Sequence, residues 1–264
     1  MVLLLAKLVG TPLLVVFVSL VARRLGTEVG GLLAGMPLAS GPVAGLLVAA
    51  HGSAFGVGAA GGILLGLLGA QAFIATYGAL CRVALWPVCI VASFAAFGVV
   101  GAASYLAQPP LGLTIALVLA GLLAIVRALG RPEDGAAPAP SDGGWRDLAL
   151  RAVLATAIVI GITAAAPALG ARMSGILAPV PMVTAILAVF THRAAGAAGA
   201  RNLLRGVAGG AFSFWLFFAI LAVALAHVHA LAAFALATAG ALGLQAVRLG
   251  ARRSRRLPTV PQSA

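Results

Sequence analysis

A chain of 264 residues, 62% hydrophobic and only 8% charged, with a mean hydropathy of +1.15, is excluded from the soluble globular class, where about a quarter of residues carry charge. Lipid is the solvent for so much apolar surface, and 34 glycines let helix backbones approach closely. The net charge of +12 would point a soluble protein to nucleic acid, but no basic stretch is long enough to fold alone. The arginines are read instead as topology signals in cytoplasmic loops, and nucleic acid is excluded as a partner. The expected fold is an all-α polytopic membrane bundle.

The first apolar run, about Leu3 to Val21, is expected to stay in the chain as span one, because Lys7 interrupts it and no small-residue cleavage site follows. Arg23 and Arg24 close it. Span two, about Val29 to Ala50, contains GGLLAGMPLASGPVAGLL, which is apolar throughout yet holds Pro37, Ser40, Gly41 and Pro42 at its middle. Each proline removes a backbone donor and clashes with the preceding turn, so the helix should break there. Broken backbone is tolerated at membrane depth only where protein or a water-filled cavity satisfies it. Such breaks form binding sites in transporters. Span three, about Phe55 to Tyr77, carries Gly58, Gly62 and Gly66 at four-residue spacing. They give one face suited to close packing, on which two copies can also pair as a homodimer.

Span four, about Val83 to Tyr105, has Trp86 and Tyr105 near opposite ends as interfacial anchors. Cys81 and Cys89, if carried on one helix, stand about 12 Å apart, too far to bridge. Span five runs from about Leu111 to Val126. Residues 130–147, rich in Pro, Ala and Gly, read as a flexible cytoplasmic linker. It joins two halves, 1–129 and 148–250, of a single membrane domain covering 1–264 and ending in a basic tail, 251–264. Span six is about Ala149 to Ala166. Span seven, Gly175 to Phe190, has Pro179 and Pro181 in its first half. Thr191 to Arg205, with His192, Arg193, Arg201 and Arg205, reads as a basic loop. Span eight is about Gly206 to Ala226, His227 and His229 occupy a tight turn, and span nine is about Ala230 to Leu249.

With the N-terminus outside, Arg23, Arg24, Arg82, Arg127, Arg131, Arg146 and the later arginines up to the tail fall on the cytoplasmic side, and only Arg172 falls opposite. That is the positive-inside bias. It gives about nine spans, N-terminus out and C-terminus in. The break in span two or the length of span eight would shift the count to ten.

An offset of 144 residues superposes Leu25 and Gly26 on Leu169 and Gly170, Gly31 to Ala34 on Gly175 to Ala178, Pro37 on Pro181, and Ser40 on Thr184. Five spans precede the second unit, and an odd number reverses direction. The expectation is an inverted-topology repeat, with broken helices two and seven meeting near the midplane. In layout this resembles the inverted-repeat, broken-helix secondary transporters, such as the sodium/proton antiporters and the bile-acid sodium symporters. The stretch GGLLAGMPLASGP also resembles one in a family of uncharacterised bacterial inner-membrane proteins. The resemblance implies a multi-pass protein of the bacterial inner (cytoplasmic) membrane. One departure matters: those transporters hold the coupling ion with acids inside the membrane. Here all five acids, Glu28, Glu133, Asp134, Asp142 and Asp147, fall at span ends or in the linker.

The candidate substrate-binding residues are Pro37, Ser40, Gly41 and Pro42 from span two, with Pro179, Pro181 and Thr184 from span seven. They offer freed carbonyls, two hydroxyls and half-helix ends. A helix N-terminus carries about half a positive charge, so a small anionic or neutral polar solute fits better than a cation. Ser40 and Thr184 are expected to donate hydrogen bonds to it, unless each bonds its own helix. His227 and His229 are weaker candidates, as a proton relay. Two histidines fall short of a zinc set, so neither metal nor cofactor is expected. No HExxH motif, nucleophile elbow or nucleotide loop is present, and no enzyme is expected. The functional expectation is a small secondary transporter or exporter working by alternating access. The alternative is a non-transporting scaffold or anchor subunit of a partner complex, using the glycine face, the linker and the arginine tail.

Overall fold

The computed structural model describes residues 27–37, 40–131 and 180–254, with Leu13, residues 16–21, Arg24 and Val153 beside them. Every regular element among the described residues is an α-helix. In chain order these are α1 (Thr27–Ala34), α2 (Ser40–His51), α3 (Ser53–Leu80), α4 (Trp86–Ala107), α5 (Leu111–Leu129), α6 (Met182–Ala224) and α7 (Ala230–Ser254). Five of them, α3 to α7, are long and apolar enough to cross a bilayer, and the architecture is that of a helical membrane protein. Val91, Val99, Leu106, Leu113, Leu231 and Val247 face outward. That exposure is costly in water, at about 25 cal/mol per Å², and costs little among lipid tails. Helices α4, α5 and α7 form this outer layer, and α6 is the most buried. Spans three, four, five and nine thus appear as α3, α4, α5 and α7. Spans one and six, the linker and the start of span seven lie outside the described residues, apart from isolated positions.

Turn chemistry sets several boundaries. Gly52, at φ 84°, reverses the chain between α2 and α3 in a backbone region that glycine enters without a Cβ penalty. Pro87 sits in the first turn of α4, where its missing N–H has no partner to lose. Gln108 closes α4 in the left-handed conformation, and Pro109 and Pro110 prevent its continuation. Cys81 lies in the turn after α3 and Cys89 on α4, so the two are not on one helix; both are buried and free.

Helix α6 has 43 residues. As a straight rod it would be roughly 65 Å long, about twice a hydrocarbon core. Gly196 leaves the helical region, at φ 66° and ψ −166°, and divides α6 into two limbs, 182–195 and 197–224. A Cβ on Gly199 would lie 3.3 Å from the Thr191 methyl. A straight helix holds those positions about 12 Å apart, so the chain turns sharply at Gly196. This corrects the expected loop from Thr191 to Arg205: the segment is helical on both sides of one glycine. Its polarity misleads because its central cation points inward. Arg201, buried in the bundle, donates to the Gly78 carbonyl at the end of α3. It also donates to the Leu129 (3.1 Å) and Ala128 (3.3 Å) carbonyls at the end of α5. Helix C-termini present unsatisfied carbonyls and a negative partial charge, and one guanidinium answers both ends.

The Arg201 contacts also orient the bundle. The ends of α3 and α5 and the vertex of α6 share one face. Arg82, Arg127, Arg131 and Arg193 are exposed on it, and Arg193 lies 5.7 Å over the Trp86 ring at the start of α4. The opposite face carries Gly52, the turn of Gln108, Pro109 and Pro110, and the turn containing His227 and His229. None of those turns holds a lysine or an arginine. This one-sided charge is the asymmetry that the positive-inside rule describes.

Of the regularly spaced glycines only Gly66 is buried; among the described residues, a Cβ on Gly58 or Gly62 would meet nothing within 4 Å. Gly35 and Gly210 instead cross backbone to backbone. A Cβ on Gly35 would collide with the Val207 carbonyl, and one on Gly210 with the Leu32 carbonyl.

Gly210→Leu is therefore expected to lower the thermal stability of the detergent-solubilised chain by more than the ~1–3 kcal/mol of ordinary overpacking, because backbone blocks the added atoms. Gly58→Ala should leave it unchanged or raise it by up to about 1 kcal/mol. Thermal unfolding of both variants checks the pair. For sidedness, a cysteine from Arg131→Cys in a Cys81→Ser, Cys89→Ser background should react with an impermeant maleimide only after the membrane is permeabilised. One from Val228→Cys should react in intact cells.

Candidate functional site

Span two breaks where its prolines predict. Helix α1 ends at Ala34, and Gly35, Met36 and Pro37 turn the chain, with the Met36 N–H donating to the Leu33 carbonyl at 3.1 Å. Helix α2 starts at Ser40, and the Gly41 N–H reaches the Pro37 carbonyl at 3.0 Å. Pro42 lies in the first turn of α2, where a missing N–H is tolerated. The far side of the break is held more loosely than the near side. A Cβ on Gly41 would meet the Phe217 ring at 3.5 Å, and one on Gly45 the Phe234 ring at 3.8 Å. From there α2 leads to the Gly52 face.

In the second candidate segment, Pro181 immediately precedes α6, and its carbonyl accepts from the Ala185 N–H at 2.7 Å. Pro179 lies outside the described residues. Thr184 is buried in the first turn of α6, and residues 184–188 are all buried. A helix enclosed on every side passes through the interior rather than along a surface. Ala185, Leu187 and Ala188 share one core with Leu203 and Val207 of the second limb, and Leu33 and Ala34 pack against it from just before the break. Met182 and Gly210 are equally far in sequence from Gly196, each roughly 20 Å along its limb. The start of α6 and the α1–α2 break thus lie at similar depth beside one core. From that depth α2 runs toward the Gly52 face and the first limb of α6 toward the Gly196 face.

The hydroxyls at this level differ from those elsewhere. Ser93, Ser104 and Thr114 donate to the carbonyl four residues earlier, at 2.6, 2.8 and 3.2 Å. Among the described residues, no such self-bonding is seen at Ser40 or Thr184.

His227 and His229 are exposed in the turn between α6 and α7. His229 Nδ1 accepts the Leu231 N–H at 3.4 Å. Both stand at the face away from Gly196, well removed in depth from the break. His192 is the histidine built into the bundle: it is half-buried on the first limb of α6, with Nδ1 3.3 Å from the Tyr77 hydroxyl and the rings 5.9 Å apart.

Three polar groups at the α6–α7 interface escaped the sequence reading. Ser213 is fully buried and donates to Gln245 Oε1 at 3.0 Å. Gln245 is 5% exposed, and its Nε2 is buried with no partner among the described residues. Arg248, one turn further along α7, donates to the Gly209 carbonyl at 3.0 Å and lies 4.3 Å over the Phe212 ring. Gln71, another buried amide, is by contrast bonded: its Nε2 donates to the Val118 carbonyl at 2.7 Å. The only signal in the sequence was a polar residue in each of two apolar helices, with nothing to say that the two would meet.

Comparison with known protein families finds no match, and neither does comparison with curated proteins or with solved structures. Function is therefore argued from geometry.

His192→Ala is expected to destabilise the chain by about 1–2 kcal/mol, through the lost Tyr77 contact and the unpaired hydroxyl it leaves. The double change His227→Ala, His229→Ala should stay within about 0.5 kcal/mol of the parent. Thermal unfolding in detergent separates the two cases.

Proposed function

We propose that the chain is a small secondary transporter or exporter of the bacterial inner membrane that moves a small anionic or polar solute by alternating access. The observation that supports this best is the pair of half-helices, α2 and the first limb of α6, which begin at one depth inside the bundle and run apart. Helix N-termini offer unsatisfied N–H groups and positive partial charge, so two of them at one level favour an anion. Ser40 and Thr184 donate to the solute there, and the helix starts beside Pro37, Gly41, Pro42 and Pro181 supply the rest of the site. The opposed directions of the half-helices support an inverted-topology repeat of about nine spans, N-terminus out and C-terminus in. Coupling through an intramembrane carboxylate has no residue to use, since all five acids lie at span ends or in the linker. His227 and His229, exposed in their turn, are given no part in the path. Neither a cofactor nor a catalytic step belongs to the proposal.

A scaffold or anchor subunit is the second reading. Among the described residues, the flank at Gly58 and Gly62 is uncovered; that favours it, as a surface where a helix of another copy or of a partner can seat.

Reconstituted in proteoliposomes, the chain should take up at least one small carboxylate and no organic cation. Ser40→Ala and Thr184→Ala should each raise the half-saturating concentration about tenfold, the equivalent of one net hydrogen bond of about 1–1.5 kcal/mol. Their melting temperatures should match the parent's. If the inserted, folded parent moves no solute at all, the transporter proposal fails and the scaffold is favoured.

A further inference from the structure

We infer that Ser213 and Gln245 form the solute-contacting wall opposite the α1–α2 break, with the unpaired amide N–H of Gln245 taking an oxygen of a bound carboxylate. This rests on the transporter proposal and names the side of the site that the prolines do not provide. Gly210, Ser213 and Phe217 share one face of α6 by their spacing. Gly210 meets Gly35 before the break, and Phe217 meets Gly41 after it. Ser213 lies between them on that face and so stands at a level between Gly35 and Gly41. Through its bond to Oε1 it brings the Gln245 amide to the same level.

The amide is incompletely bonded where this is costly. Gln245 is 95% buried by its 5% exposure, and Nε2 has no acceptor among the described residues. Turning the amide over would let N–H meet the Ser213 oxygen but leave the carbonyl bare. One of its groups stays unmatched either way. A leucine there would avoid the cost, and the Nε2 donor of the other buried amide, Gln71, does find a carbonyl in this bundle. In the orientation observed, with Oε1 on Ser213, the free group is a donor, and a donor selects an acceptor. The Arg248 guanidinium lies one turn along α7, and a positive charge acts strongly in a low-dielectric interior. Donor plus nearby charge fits a carboxylate better than a neutral carbonyl or a cation.

The test uses the full chain, with thermal unfolding in detergent with and without acetate, lactate or succinate, and uptake of the same three solutes into proteoliposomes. Gln245→Leu should melt at or above the parent's temperature, yet lose the carboxylate-induced rise and at least nine-tenths of uptake. Gln245→Glu, which keeps the shape but replaces the donor with an acceptor, should lose both as well. Undiminished uptake and an unchanged rise in Gln245→Leu would overturn the inference while leaving the transporter proposal standing. If that variant does not fold, Gln245→Glu decides: a retained rise overturns the inference, and a lost rise in a folded protein supports it. A rise produced by phosphatidylglycerol and by none of the three carboxylates also overturns it. Absence of uptake of any solute by the parent defeats the transporter proposal itself.

Discussion

At Gly35 and Gly210 two backbones meet with no side chain between them. In lipid, helices gain little from hiding apolar surface, so close approach and the dispersion energy it brings become the main adhesive. This contact pins the last turn of α1 to the middle of the second limb of α6. The break at Pro37 therefore cannot slide along the bundle, and its depth is set by one backbone crossing. Beyond the break the attachment changes character. Helix α2 is held near its start by the rings of Phe217 and Phe234 against Gly41 and Gly45. Rings can pivot and repack in ways that touching backbones cannot. The two sides of one broken span are thus held by unequal forces.

Arg201 solves a related problem at the basic face. A buried cation is expensive in a membrane protein unless its charge and its donors are answered. Here the guanidinium donates to the carbonyls of Gly78, Ala128 and Leu129 at two helix ends. The partial negative charge of those ends offsets the guanidinium, and the guanidinium in turn caps them. A segment that looks like a surface loop can then run as helix inside the bundle. The same tie gathers the C-terminal ends of α3 and α5 beside the Gly196 vertex, and so puts Arg82, Arg127, Arg131 and Arg193 on one side of the protein.

Much of this organisation was legible in the residues, and the parts that were not share a cause. The break at Pro37 follows from the chemistry of a single residue type, and α3, α4, α5 and α7 follow from the length of apolar runs between turn residues. These are properties of one segment at a time. The helical course of 191–205 depends on carbonyls from α3 and α5 that only the folded bundle delivers to Arg201. Of the regular glycine row only Gly66 is buried, and the backbone crossing falls on Gly35 and Gly210, because the partner helix, not the spacing, decides which face is covered. Ser213 and Gln245 are ordinary polar residues until two helices bring them together. Pro181 lies at the very start of the described part of its segment, so of span seven only the course of α6 after it is described.

The distribution of satisfied and unsatisfied polar groups carries the remaining step. Elsewhere in the bundle several enclosed polar groups are matched: Ser93, Ser104 and Thr114 bond their own helices, Gln71 donates to the Val118 carbonyl, and the half-buried Trp215 indole donates to the Ile115 carbonyl at 3.0 Å. At the level where α2 and α6 begin, the Gln245 amide instead keeps a donor with no partner among the described residues. Selection for stability alone would replace such a group with an apolar side chain. Its retention inside a chain otherwise built of alanine, leucine, valine and glycine is what the proposed site would call for, if that site must hold a polar solute that the rest of the bundle excludes.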